Sequence, residues 1–257
     1  MSLHIDTAGL GRDVVLIHGW AMHGGIFHAL AAALARTCRV HVVDLPGHGH
    51  SRDDVAGFDV VENADRLVDR LPPAIWIGWS LGGLVAMQAA LTSPQRVRGL
   101  GMICASPRFV AAPDWPHGVP LDVFAQFGAD LANGYRATLA RFLALEVQGD
   151  EHAISCLREL KARLFERGEP AIAALGSGLH ALAASDYRDA LASLAVPSLW
   201  LAGSRDRLVP SAAMASAAKL AGGRFHRVAR AGHAPFITHC DEVHAQIIAL
   251  VAHVEAA

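Results

Sequence analysis

The chain has 257 residues, 53% of them apolar and 18% charged, a globular composition long enough to bury a large core as one domain or as a core with an insertion. With 22 basic against 24 acidic residues the formal charge is −2, which excludes the basic footprint that nucleic-acid binding needs. The opening MSLHIDTAGLGRD shows no basic segment followed by an apolar stretch, so a cytoplasmic protein is expected.

Short apolar runs alternate with helical patterns along the first part of the chain. VVLIHG from Val14 reads as a buried strand, Ile26 to Ala35 as a helix, and RVHVVDLPG from Arg39 as the next strand and its turn. Val60 to Leu71 suits an amphipathic helix; AIWIGWS from Ala74 is a strand, LGGLVAMQAALTS from Leu81 a helix, and VRGLGMICAS from Val97 another strand. The stretch Leu71 to Gln95 lacks formal charge over 25 residues, yet GWSLGG at its middle and the prolines at its start favour strand, turn and buried helix over a membrane span. The rhythm breaks between residues 107 and 190 and resumes with VPSLWLAGSRD from Val196, a helix over Ser211 to Leu220, a strand over Arg224 to Val228 and a last helix within Glu242 to Val254. The expected fold class is α/β, a mostly parallel sheet covered by helices on both faces, with residues 1–106 and 191–257 forming the core and 107–190 a helical lid inserted in it.

The chemistry concentrates at Gly78-Trp79-Ser80-Leu81-Gly82, a G-x-S-x-G between a strand and a helix. Such a turn strains its central residue and leaves no room for side chains two positions to either side, so Ser80 would project from the carboxyl edge of the sheet. A serine hydroxyl needs a base, and the base an orienting carboxylate; in this topology they follow in the order Ser, Asp, His. Asp206 in GSRD and His233 in AGHAPF stand where two later core strands end, 126 and 27 residues on. The oxyanion of a tetrahedral intermediate would be met by the N–H of Leu81, just after the nucleophile, and by the N–H of Trp20 in the His18-Gly19-Trp20 turn.

Two other readings carry less. The four cysteines Cys38, Cys104, Cys156 and Cys240 have no metal-type spacing and are expected as reduced and mostly buried thiols. His41, His48 and His50 in HVVDLPGHGHS lack the further Asp-His of a two-metal hydrolase, so the segment reads as a tight turn bordering the site and no metal is expected.

HGW, DLPGHGHS, GWSLGG, GSRDRLVP and GHAPF, in that order, resemble the α/β-hydrolase superfamily across nearly the whole chain. GWSLGGLVA, the run RFLALE from Arg141 to Glu146, and HAPFITH from His233 to His239 are more specific, and together are similar to the pimeloyl-[acyl-carrier protein] methyl ester esterases of biotin synthesis. That resemblance implies hydrolysis of the distal methyl ester of a pimeloyl chain carried on acyl carrier protein, without cofactor. It also implies that Trp20, Ser80, Leu81, Phe142, Leu143, Ala144, Leu145, Glu146 and His233 surround the substrate. Residues 107–190 hold 8 basic and 11 acidic residues, so any dock for an acidic carrier must be a local patch; Arg136, Arg141, Arg158 and Lys161 are its candidates. A monomer is expected. A general short-chain carboxylesterase, a carbon–carbon bond hydrolase with the same three residues, and a non-catalytic ligand receptor remain the alternatives.

Overall fold

The computed structural model describes residues 3–54 and 57–256. Its centre is a seven-stranded sheet built from β1 (His4–Ala8), β2 (Arg12–Ile17), β3 (Cys38–Asp44), β4 (Ala74–Trp79), β5 (Val97–Ile103), β6 (Ser198–Gly203) and β7 (Arg224–Val228). The order is β1-β3-β2-β4-β5-β6-β7, with β1 antiparallel to β3 and all other neighbours parallel. The central strands are buried throughout, Val14 to Ile17 and Ala74 to Trp79 without a break, as expected of parallel strands covered on both faces.

The helices of the core are α1 (His28–Leu34), α2 (Val60–Arg70), α3 (Leu81–Thr92), α7 (Ser211–Leu220), α8 (Pro235–Thr238) and α9 (Cys240–Ala256); α4 (Leu121–Glu146), α5 (Ala153–Leu164) and α6 (Ile172–Ala184) lie between β5 and β6. Asp59 caps α2, its carboxylate accepting the N–H of Glu62, which sets the start at Val60. α2 packs with α3, and α1 with α9. The expected helix over Ile26 to Ala35 is divided: a 3-10 turn over Gly24–Phe27 precedes α1. The strand β1 is an addition to the elements read from sequence, and α8 is a short turn before the last helix.

The segment between β5 and β6 is helical but folded back on itself. α4 breaks at Gly134, where φ is −179° and ψ 74°, so its two halves are separate arms with a groove of about 640 Å³ along them, lined among others by Asp122, Val123, Phe127, Asp130 and Arg141. α4 and α6 pack on each other, and α6 reaches α3 in the core. Trp20 anchors this contact: its Nε1–H donates to the Leu175 carbonyl at 2.8 Å, and a Cβ on Gly178 would come within 2.9 Å of its ring. No described helix is long and apolar enough to cross a membrane.

Candidate active site

Ser80 sits between β4 and α3 with φ 51° and ψ −119°, a conformation that L side chains rarely adopt. The flanking glycines show why the chain must turn so tightly: a Cβ on Gly78 would lie 2.4 Å from the Gly82 carbonyl oxygen, and one on Gly82 would lie 2.3 Å from that of Ile17. Backbone on all sides therefore fixes the serine. Leu81 opens α3, so its N–H is among the amides a helix start leaves without an intrahelical acceptor. The His18-Gly19-Trp20 turn lies against the same place, since a Cβ on Gly19 would meet the Ser80 Cβ at 3.2 Å.

Asp206 and His233 arrive from the loops after β6 and β7. His233 Nδ1 is 2.8 Å from Asp206 Oδ2, while Asp206 Oδ1 accepts the N–H of Leu208 at 2.8 Å and of Val209 at 3.0 Å. Three interactions thus hold the carboxylate, and the imidazole proton is placed on Nδ1. The opposite nitrogen, Nε2, is buried and makes no hydrogen bond among the described residues. It is the atom left free to take a proton.

The histidine is fixed at its backbone too. Its N–H donates to the Glu146 carbonyl at 3.0 Å, and its own carbonyl accepts the Trp79 Nε1–H at 2.8 Å. Trp79 also packs on Phe236, which packs on Phe27, so the loop rests on an aromatic stack in the core. Trp79, the residue before the nucleophile, thereby positions the base, a role that sequence reasoning missed because a tryptophan beside glycine reads as packing.

Ser80 and His233 line one cavity of about 50 Å³ whose remaining wall is apolar, including Phe109, Phe124, Phe127, Phe142, Leu179 and Leu182. Of the run read as substrate-binding, Phe142 is in this wall, edge-on to Trp20 at 4.8 Å. The other four do not line this cavity. Leu143 is buried in the core, Ala144 is exposed, Leu145 lines the groove outside, and Glu146 is buried beyond the cavity within electrostatic reach of Asp206. The reason is geometric: successive residues on a helix point about 100° apart, so five in a row cannot face one cavity. The other phenylalanines and the leucines of the wall escaped sequence reasoning because an apolar residue on a helix does not announce which cavity it borders.

The candidate docking residues are dispersed. Arg136 pairs with Glu169 and Arg141 with Asp130, while Arg158 and Lys161 are exposed on α5, three residues apart.

Among the described residues two groups of side chains have donor atoms close enough to share an ion: Cys104, Asp206 and His233, and His4, Asp44 and His50. In the second, Asp44 already accepts the N–H groups of Gly24 and His50 and pairs with Arg167. His41 instead meets Asp13 and Thr7, and the Nδ1–H of His48 donates to the Pro46 carbonyl, so the three histidines of HVVDLPGHGHS do not converge. His41 is on β3 and His48 and His50 follow it, the His48 ring lying 5.2 Å from that of His18. Burial pushes His18 down to about 3 and His48 to about 4. Both are neutral, and His18 accepts the Leu45 N–H at Nε2.

A family model described as the alpha/beta hydrolase fold matches residues 14–239. Among curated relatives, the pimeloyl-[acyl-carrier protein] methyl ester esterase of Stenotrophomonas maltophilia (strain R551-3) is 53% identical over 251 residues, covering 97% of this chain and 96% of its own. The protein of that name from Xanthomonas oryzae pv. oryzae (strain MAFF 311018) is 51% identical over 253 residues, covering 98% and 100%. Among solved structures, an esterase from Exiguobacterium antarcticum superposes with a TM-score of 0.87 at 22% identity over 98% of this chain and 95% of its own, a likeness of fold.

Proposed function

The chain belongs to the alpha/beta hydrolase family, and on that premise we propose that it is a serine carboxylesterase that hydrolyses the methyl ester of pimeloyl-[acyl-carrier protein], releasing methanol and pimeloyl-[acyl-carrier protein] for biotin synthesis. Identity above 50% over nearly the whole length of relatives bearing that name carries the reading.

Ser80 Oγ attacks the ester carbonyl carbon as His233 Nε2 takes its proton, and Asp206 holds the imidazole in the required tautomer and stabilises its positive charge. The N–H groups of Trp20 and Leu81 receive the oxyanion. Collapse of the tetrahedral intermediate breaks the bond to the methoxy oxygen, which leaves as methanol with the proton from His233. Water, deprotonated by His233, then attacks the acyl-enzyme and frees the acid with Ser80 restored.

The cavity suits this substrate. Its wall offers an apolar acyl chain hydrocarbon and, apart from Ser80 and His233, no polar group. A carboxylate would be desolvated there without a cation, which favours release of the product acid over its retention. At about 50 Å³ the space is smaller than the ~300 Å³ at which ligand pockets begin. We therefore read residues 107–190 as a lid whose wall residues part to admit the chain.

We further propose that the enzyme acts as a cytoplasmic monomer without metal or organic cofactor. Arg158 and Lys161 are its proposed contacts to the acidic carrier; Arg136 and Arg141 would first have to leave their carboxylate partners. Methanol release from methyl pimeloyl-carrier protein, compared with free dimethyl pimelate and a ring-cleavage dienone, tests the substrate: the carrier-bound ester is expected to have the highest kcat/KM. A preference for the dienone would move the reading to a carbon–carbon bond hydrolase.

A further inference from the structure

Glu146 ends α4 with only 2% of its surface exposed. Its Oε2 is buried without a hydrogen-bond partner, and among the described residues it forms no ion pair. The groups within its electrostatic reach are acids: Asp206 after β6, Cys104 after β5, and Cys156 on α5, behind which stands Asp150. His233 is held by the same residue through the Glu146 carbonyl, as described above. Cys104 and Asp206 also present donor atoms within 4.8 Å of one another and of His233.

A carboxylate removed from water needs a cation or several N–H donors, and this one has neither. The protein retains an acid here all the same, buried within electrostatic reach of Asp206 and of Cys104, which lies beside the Asp206–His233 pair. We propose that Glu146 is a positioning residue that works as an uncharged carboxylic acid, a buried polar group near Cys104 that adds no second negative charge to that pair.

The inference rests on the reading of Asp206 and His233 as partners of Ser80. An ionised Glu146 would stabilise the imidazolium and hold back the proton that methanol must receive. A hydrocarbon in its place would take the polar group away from the Cys104 thiol, which lies beside the Asp206 carboxylate. The neutral acid avoids both, and desolvation by burial, with the Asp206 charge acting in the same direction, holds the Glu146 carboxyl well above the usual carboxylate range.

The test compares wild type, Glu146→Gln and Glu146→Leu on a p-nitrophenyl ester. The acid limb of kcat/KM against pH reports the free enzyme's base. The expected result is a loss of about tenfold or more in kcat for E146L with KM unchanged, rescued in E146Q, whose acid limb stays at the wild-type pH. Infrared difference spectra of wild type minus E146Q near pH 8 should show the C=O stretch of a protonated carboxyl, which keeps the proposal testable if E146L fails to fold. A shifted acid limb in E146Q, wild-type kinetics in E146L, or absence of the protonated-acid band would each overturn it. Ser80→Ala on the same ester separates the two levels: turnover surviving in that variant would instead break the reading of the triad.

Discussion

The walls of the cavity come from two regions built in opposite ways. On the sheet side, Ser80 is held at φ 51°, and Gly78 and Gly82 stand where any Cβ would strike backbone oxygen. On the helical side, α4 breaks at Gly134, a Cβ on Gly128, Gly134 or Gly176 would meet nothing within 4 Å, and the cavity face is made of phenylalanine and leucine side chains. Backbone contacts cannot give without breaking the fold, whereas side-chain packing can be parted and remade. The reacting atoms are therefore placed by the rigid region, and on the proposed reading of residues 107–190 as a lid access to them is left to the yielding one.

The largest effect should come from the rigid side. Ser80→Ala should lower kcat on the order of 10⁶-fold while circular dichroism and melting temperature stay near wild type, because the methyl group fits where the hydroxymethyl was. Gly82→Ala should fail to yield folded enzyme, or yield one with a greatly lowered melting temperature, since backbone oxygens of Ile17 and His18 would have to move. A soluble, active Gly82→Ala would show that the turn is not fixed as described.

Acid should also act on the core first. His18 and His48 remain neutral when folded, at about 3 and about 4, but take protons near 6.5 once unfolded. Their contribution to stability is present above 6.5 and is lost as pH falls through the folded values, so the melting temperature should decline across that window. A flat profile would remove the buried histidines from the account.

The yielding side predicts smaller and different effects. Phe142→Ala opens the cavity wall beside Trp20 and should raise KM for long-chain esters about tenfold, with less change for acetyl esters. Gly134→Ala should be the mildest, folding normally and altering stability by roughly 1 kcal/mol or less. Loss of activity in Gly134→Ala, with folding intact, would show that the break in α4 governs access more strongly than the packing of the wall.

The same division explains what could be read from sequence. The elbow at Ser80 was legible because a strand, two glycines at fixed offsets and a helix leave one conformation; Asp206 and His233 followed because parallel strands bring their carboxyl ends to one edge. The edge strand β1 was not, since HIDTA is short, half exposed and without an apolar run. On the helical side the helical character of residues 107–190 was legible, but neither its separate helices nor their facing was. Ala144 and Leu145 point away from the cavity and Glu146 lies beyond it, while Phe109, Phe124 and Leu208, distant in sequence, complete its wall. Where α4 breaks decides which residues face inward, and its sign in the sequence, the turn-forming pair Asn133-Gly134 inside a helical run, went unread.

The most direct measurement is mass spectrometry of methyl pimeloyl-acyl carrier protein after incubation with wild-type enzyme and with Ser80→Ala. The account predicts loss of one methyl group with wild type alone, the thioester to the carrier remaining intact. An unchanged carrier-bound ester under conditions where small p-nitrophenyl esters are cleaved would contradict it, leaving a general esterase on the same fold.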